Sequence, residues 1–287
     1  MITTLHQNDA ISIAALCAAL GVARSSYYSR RNESEQVAGD RHLGEQITTV
    51  FREHRSRYGS RRIAQHLNRS GVPCSRQRVR KIMAQNGLKA LKTPRKFVVR
   101  TSDGNAPAPA PNLLLDRDPP TAINKLWVAD ITYVPVAGVP WIYLAMVMDQ
   151  FSRRIIGWKL GPDLHTKLVL DALGAAVRKR SPDAGLIVHS DQGSQYGSRA
   201  HRRRLTAIKA IQSMSRRGNC YDNAFMESCF GTIKDEMLDG GEFDSFGDAH
   251  TELFDYIEIY YNRKRIHSSI GGMPPEEFEA KQTQTNS

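Results

Sequence analysis

Cysteine is scarce in this chain, at four of 287 residues. Cys17, Cys74, Cys220 and Cys229 form no CxxC pair and have no paired histidines beside them. That speaks against a zinc site. Four scattered cysteines do not make a disulfide framework either, and they suit a reducing compartment. Long apolar runs are also missing. None approaches the roughly 18 residues that a membrane-spanning helix requires. The stretch ISIAALCAAL follows acidic and polar residues instead of a basic segment, so it does not read as a signal peptide. The expectation is a cytoplasmic protein without a membrane partner.

Charge is abundant but unevenly placed. The net charge is +11. Residues 1–122 hold 20 Lys and Arg against 9 Asp and Glu, whereas residues 123–287 hold 20 of each. The whole excess therefore lies in the N-terminal part. A basic module joined to a neutral, acid-containing one suggests that the first grips phosphates and the second performs chemistry. A solvated basic surface would explain a charge excess, but not its confinement to one segment. At this length there is room for two domains.

Residues 1–43 read as a short helical segment, with two helices around a turn near Gly21 and the second over Ala23 to Tyr28. It is either a remnant of a DNA-binding motif or a packing element. Residues 44–100 read as a helix-turn-helix domain. Ile47, Val50, Phe51, Ile63 and Leu67 recur at helical spacing through GEQITTVFREHRSRYGSRRIAQHL. Ser70-Gly71-Val72-Pro73 breaks that helix, and Ser75 is placed to cap the next. There Val79, Ile82 and Met83 share one side, and Gly87 ends the helix. Arg76, Gln77, Arg80 and Lys81 are left to face outward, as in a recognition helix for a major groove. Lys89, Lys92, Arg95, Lys96 and Arg100 continue the positive charge. Arg and Gln suit base edges, and Lys mostly grips phosphate. DNA is the expected partner, which would associate the protein with the nucleoid.

Residues 101–122 alternate Ala and Pro and read as a semi-rigid linker. Residues 123–287 read as an α/β domain. KLWVADITYVP, WIYLAMVMDQ and RRIIGWKLG are three antiparallel strands. Helix TKLVLDALGAAVRKR, strand LIVHS, helix HRRRLTAIKA, strand IQSMS and a further helix follow. This order gives a mixed sheet with helices on both faces.

Three acids stand out in that domain. Asp130 lies in the first strand, and Asp191 follows strand LIVHS. Glu227 comes after a gap of 35 residues, in NCYDNAFMESCFGTIKDEML. Two strand-borne aspartates and a helix-borne glutamate can converge on one point, where they repel unless a divalent cation holds them. Oxygen-only ligands suit Mg²⁺ or Mn²⁺. Two such ions clamp the attacking and leaving oxygens of a phosphoryl displacement. Lys234 is seven residues after Glu227, on the same helical face, where it can meet a DNA phosphate. Rival acids remain on spacing alone. Asp149 ends a strand and can simply cap a turn. Asp222, Asp235 and Glu236 flank Glu227, and helix acids usually face solvent. His189 reads as a structural hydrogen-bonding residue. Gln192, Gln195 and Tyr196 are placed to line the groove.

The words WVADITYV, YLAMVMDQFSRRIIGW, HSDQGSQY, GNCYDNAFMESCFGTIKDE and YNRKRIHSSIGGMPPEEF, in this order, resemble the IS3 family of insertion-sequence transposases. The resemblance covers roughly residues 45–280. It implies a ribonuclease-H-like fold and a DDE active site like that of retroviral integrases. Asp130, Asp191 and Glu227 would be the catalytic metal ligands for two Mg²⁺ or Mn²⁺ ions, with Lys234 beside them. In this motif Asp149 has no metal role, and Asp222 and Asn223 support the helix entry. The integrases' zinc-binding module has no counterpart here. The implied reaction is DNA cleavage and strand transfer, with water and then a DNA 3′-hydroxyl as nucleophiles and no covalent protein–DNA intermediate. The family splits its coding into two frames, and this chain looks like the downstream product. It would then form a homo-oligomer on DNA and work with the upstream-frame protein, or fused to it. A host nuclease of ribonuclease-H type would need neither the helix-turn-helix nor the register of Lys234. A non-catalytic DNA-binding regulator would not need three intact acids.

Overall fold

The computed structural model describes residues 12–91, 109–115, 117–216, 223–238 and 241–285, and of residues 30–38, 140 and 285 only the backbone. The chain forms two compact units, Met1–Ala90 and Leu91–Ser287.

The first unit is helical. Helix α1, Ile13–Ala19, is capped by Ser12, whose Oγ accepts from the Ala15 N–H. Gly21 turns the chain with φ +64°. Helix α2 then runs from Arg24 to Glu53. This differs from the sequence expectation of a short second helix and a boundary at residues 43 and 44. Gly44 is no break: a Cβ there would meet Asn86 and Ile82 at 3.3 and 3.4 Å, so glycine lets the segment bearing Ile82 and Asn86 pack close against α2. The expected continuous helix through residues 44–67 is instead divided. Arg55 and Ser56 take left-handed φ of 48° and 60°, ending α2, and α3 starts at Ser60 and runs to Arg69. Helix α4, Arg76–Gln85, follows, with Ser75 Oγ accepting from the Arg78 N–H. Ile47, Val50, Phe51, Ile63, Leu67, Val79, Ile82 and Met83 are buried together with Tyr58. Burying such side chains yields about 1.5–3 kcal/mol each, which outweighs the low intrinsic preference of these arginine-rich segments for any one packing.

The second unit is built on a five-stranded sheet in the order β3-β2-β1-β4-β5. Strands β1 (Leu126–Val136), β2 (Val139–Asp149) and β3 (Ile155–Gly161) are antiparallel. Strand β4 (Ile187–Ser190) runs parallel to β1, and β5 (Ile211–Met214) parallel to β4. Helix α5 (Thr166–Arg180) covers one face through Val169, Ala172, Leu173 and Ala176, which pack on Trp127, Ala145, Val147 and Ile156. Gly157 allows this closeness, because a Cβ there would stand 2.3 Å from the Ala172 carbonyl. Helices α6 (Ser194–Gly197) and α7 (Arg199–Ala207) follow β4. Helix α8 (Ala224–Met237) lies on the other face, where Phe230 and Ile233 line a small cleft together with Thr132, Val134 and Leu144. The mixed sheet with helices on both faces is as the sequence implied.

The chain after α8 was not read from sequence. Helix α9 (Phe246–Phe254) passes into a π-helix, Asp255–Tyr261. A 3₁₀ turn (Ser268–Ile270) and helix α10 (Pro275–Thr285) end the unit. Asn262 secures this region by bonding both N–H and carbonyl of Ile155 at 3.0 and 2.9 Å. Part of the expected linker is likewise docked on this unit. The Met214 N–H donates to the Pro111 carbonyl at 3.3 Å, and the Leu113 N–H to Ser213 Oγ at 2.9 Å. Strand β5 is an edge whose unpaired groups need partners, and a proline, lacking N–H, still offers a carbonyl. Residues 92–108, including the rest of that linker, lie outside the described residues.

Candidate active site

The sheet itself brings two of the acids together. Ala129 pairs with Ser190 across the parallel strands, and Asp130 and Asp191 are the next residues on each. Neighbouring strands lie about 4.8 Å apart. Asp130 Oδ1 accepts from the Ile131 N–H at 2.8 Å, and Asp191 Oδ1 from the Gly193 N–H at 3.0 Å. Each aspartate is thus held by one oxygen. Burial pushes the Asp130 carboxyl well above the usual range, and the charges of Asp191 and Glu227 push it further, against the Ile131 N–H. Burial raises Asp191 as well, opposed by the Gly193 N–H. Glu227 comes from the first turns of α8 and is exposed. Its charge reaches Asp130, yet the three carboxylates are not drawn into one tight cluster. Among the described residues, Glu53, His54 and His66 are the only three side chains of ligand type whose atoms all lie within 4.8 Å of one another. That trio lies in the first unit, where His54 stacks on Tyr58 at 3.7 Å and belongs to the buried core.

Below the aspartates sits Tyr196, 2% exposed, whose hydroxyl burial and the charges of Asp130 and Asp191 push upward. It is enclosed close to the acids, with little surface left to line a groove. Gln192 donates to the Ser215 carbonyl at 2.9 Å, and Gln195 to the Leu164 carbonyl at 3.1 Å, so both brace the Asp191 loop. Gly193 allows that loop to fold back, since a Cβ there would stand 3.0 Å from Asp191 Oδ1. His189 is wholly buried and its Nδ1 pairs with Ser213 Oγ at 2.9 Å.

The rival acids separate clearly. Asp149 is wholly buried and accepts from the N–H groups of Asn124, Phe151 and Ser152, closing a turn. Glu236 does not face solvent as expected of a helix acid. Its two oxygens bind Arg265 at 2.9–3.1 Å, and Tyr256 donates to it at 2.8 Å. Helix periodicity carries the signal for that burial, because Glu236 shares a face with Phe230 and Ile233. Asp222 lies outside the described residues. Asn223 stands at the head of α8, 5% exposed, but makes no side-chain cap bond. Lys234 is half-buried, its amine is lowered by burial, and its Nζ lies 4.0 Å from the Tyr133 ring centre. Nothing in the sequence pattern announced that Tyr133 would receive it.

In the first unit, Arg76, Gln77, Arg80 and Lys81 are all exposed on α4, while Val79, Ile82 and Met83 are buried. Arg78 turns aside to pair with Asp40 at 2.7 Å. Lys92, Arg95 and Lys96 lie outside the described residues. No helix among the described residues is long and apolar enough to cross a membrane.

The integrase core domain family matches residues 120–220 and again 209–275, and the HTH-like domain family matches residues 38–97. The transposase for insertion sequence element IS904 of Lactococcus lactis subsp. lactis (strain IL1403) is 41% identical over 87% of this chain and 98% of its own length. The transposase InsF for insertion sequence IS3A of Escherichia coli (strain K12) is 36% identical over 96% of each. Among solved structures, the intasome of simian T-cell lymphotropic virus in complex with PP2A regulatory subunit B56 gamma matches with a TM-score of 0.47 at 13% identity, over 81% of this chain and 74% of that one. The fold is ribonuclease-H-like, and at this identity and coverage the chain belongs to the IS3 family of transposases, DDE enzymes that transfer the DNA strands of insertion elements.

Proposed function

We propose that Asp130, Asp191 and Glu227 together hold two divalent cations, Mg²⁺ or Mn²⁺, and that with them the chain cleaves and rejoins strands at the ends of its own element. The observation that carries this is the register Ala129↔Ser190, which sets two acids side by side, where burial and then the charges of Asp191 and Glu227 raise Asp130. Such ions, when bound, activate the attacking oxygen and stabilise the leaving one. The residues fit them: the donors are all carboxylate oxygens, which suits hard cations. Backbone N–H groups fix Oδ1 of each aspartate and leave Oδ2 to bind. Glu227 is exposed and long enough to swing in by rotamer change once bound cations offset the repulsion among the three. Lys234 then steadies a phosphate near the scissile bond.

The basic unit, from about residue 44 to 100, grips the element ends. Arg76, Gln77 and Arg80 read base edges, and Lys81, Lys92, Arg95 and Lys96 hold phosphates. Strand transfer joins two DNA ends to a target, so the chain acts as a homo-oligomer on DNA, together with or fused to the upstream-frame protein, in the cytoplasm at the nucleoid.

The test is strand transfer of an oligonucleotide bearing the element's end into plasmid DNA with Mg²⁺, with DNA affinity measured in parallel. Asp130→Asn, Asp191→Asn and Glu227→Gln should each reduce transfer to background with affinity nearly unchanged. Near wild-type transfer by any one of them removes that residue from the site.

A further inference from the structure

Strand β1 is longer than its parallel partner. Pairing with β4 covers only Leu126 to Ala129, so among the described residues the β4 side of β1 carries no strand partner from Asp130 onward until Val136 bridges Phe243. This open edge begins at the catalytic acid. Side chains alternate across a strand, so Tyr133 projects from the face opposite to Asp130 and Thr132. Lys234, from the helix that carries Glu227, nevertheless reaches the Tyr133 ring at 4.0 Å. Trp141, on β2, meets the same ring edge-on at 5.6 Å and 85°. Trp141 is 51% exposed, while Trp127 is wholly buried and Trp158 is half-buried with its Nε1 bonded to Glu258. A tryptophan so open, in contact with a tyrosine that carries an ammonium, is costly to leave in water and is not needed by the core.

We propose that Trp141, Tyr133 and Lys234 form a stacking platform for an unpaired base of the DNA strand as it leaves the active site. Three residues of strand separate Tyr133 from Asp130, about 10 Å at the usual rise. That distance equals about three stacked base steps, so the platform receives a base within the first few nucleotides beside the scissile phosphate. The chemistry is that of single-strand recognition: an aromatic face for a base, with a cation for its phosphate. The cation–π contact holds the Tyr133 ring and the lysine in one fixed arrangement before DNA arrives. A strand that melts beside the cut would be held open there, and sequence would matter little, because every base has a stacking face.

This rests on the reading of Asp130, Asp191 and Glu227 as the site of strand chemistry, but it is tested without chemistry. Full-length protein is titrated in chelator, with no divalent ion present, against a duplex carrying a five-thymidine overhang and against the same duplex with blunt ends. Trp141 is the one strongly exposed tryptophan among the three, so the overhang should quench emission and blunt DNA should not. Trp141→Phe should abolish the quenching but keep most of the affinity. Trp141→Ala should weaken overhang binding by about five- to tenfold, the low end for loss of one stacked base, and leave blunt-duplex binding unchanged. Melting temperature checks that both variants fold. Equal affinity of wild type and Trp141→Ala for the overhang would overturn the proposal. So would a Trp141→Ala chain that loses self-association in sedimentation while keeping overhang affinity, which would make the patch a contact between copies. Loss of strand transfer in the acid variants with the quenching intact would leave both readings standing.

Discussion

Replacing Asp130 by Asn should make the metal-free protein more stable while abolishing its chemistry. Asp130 is raised by burial and by the negative charges of Asp191 and Glu227. A carboxyl raised in the folded state binds its proton more tightly there than in the unfolded chain. Stability is therefore lost as pH rises from the unfolded value, near 4, through the folded one, and the full penalty is present at alkaline pH. Two like charges at roughly 6 Å and an effective dielectric of about 20 repel by about 3 kcal/mol. Water reaches both aspartates and Glu227, which leaves about 1–2 kcal/mol after screening. In a unit of this size each kcal/mol moves the melting temperature by about 2–4 °C, so Asp130→Asn should melt about 3–6 °C higher than wild type at pH 8 in chelator. Asn is isosteric and keeps an acceptor for the Ile131 N–H, so no packing is lost. The assay is calorimetry at pH 5 and pH 8, with and without Mg²⁺. The advantage of Asp130→Asn should shrink at pH 5, and Mg²⁺ should raise the wild type more than the variant. If Asp130→Asn melts at or below wild type at pH 8 without metal, the idea of a repulsive site awaiting cations is wrong.

Other substitutions test the frame around that site. Glu236→Ala should cost about 3–5 kcal/mol by equilibrium denaturation, because it leaves Arg265 buried without its partner. Gly157→Ala should cost about 3 kcal/mol or more by the same measurement, since its Cβ must displace the Ala172 carbonyl of α5. Gly193→Ala forces Asp191 Oδ1 and Gln195 Oε1 aside; strand transfer should fall at least tenfold while melting changes little.

Much of this was legible because periodicity reports burial. The strand words of β1 to β3 and the faces of α4 and α5 follow from where their apolar residues fall. The break between α2 and α3 was not legible. Its apolar positions stay at helical spacing through residues 47–67, and the interruption is made by Arg55 and Ser56 in left-handed conformations that neither residue type advertises. The continuous α2 was missed for the converse reason: residues 24–43 carry few apolar side chains, so their helix has little amphipathic signature. The docking of Pro111 and Leu113 on β5 depends on an edge strand 100 or more residues away, which no local pattern can reveal. The same holds for Asn262 on Ile155.

Asp149 and Asp130 differ in how far the protein itself offsets their burial. Both lie on sheet strands, in adjoining β1 and β2, and sequence cannot rank them without the family motif. Asp149 is fully enclosed and burial raises its carboxyl, but three backbone N–H groups turn toward it and Arg180 adds a favourable charge, so its burial is offset in part on the spot. Asp130 receives one N–H and faces two acids. A fold selected for stability alone would not keep that arrangement, since the repulsion costs about 1–2 kcal/mol even after screening. At low pH a proton relieves that charge; at neutral pH the proposed divalent cations would do so. On the proposed reading, the acid that the protein satisfies less is the one that takes part in the chemistry.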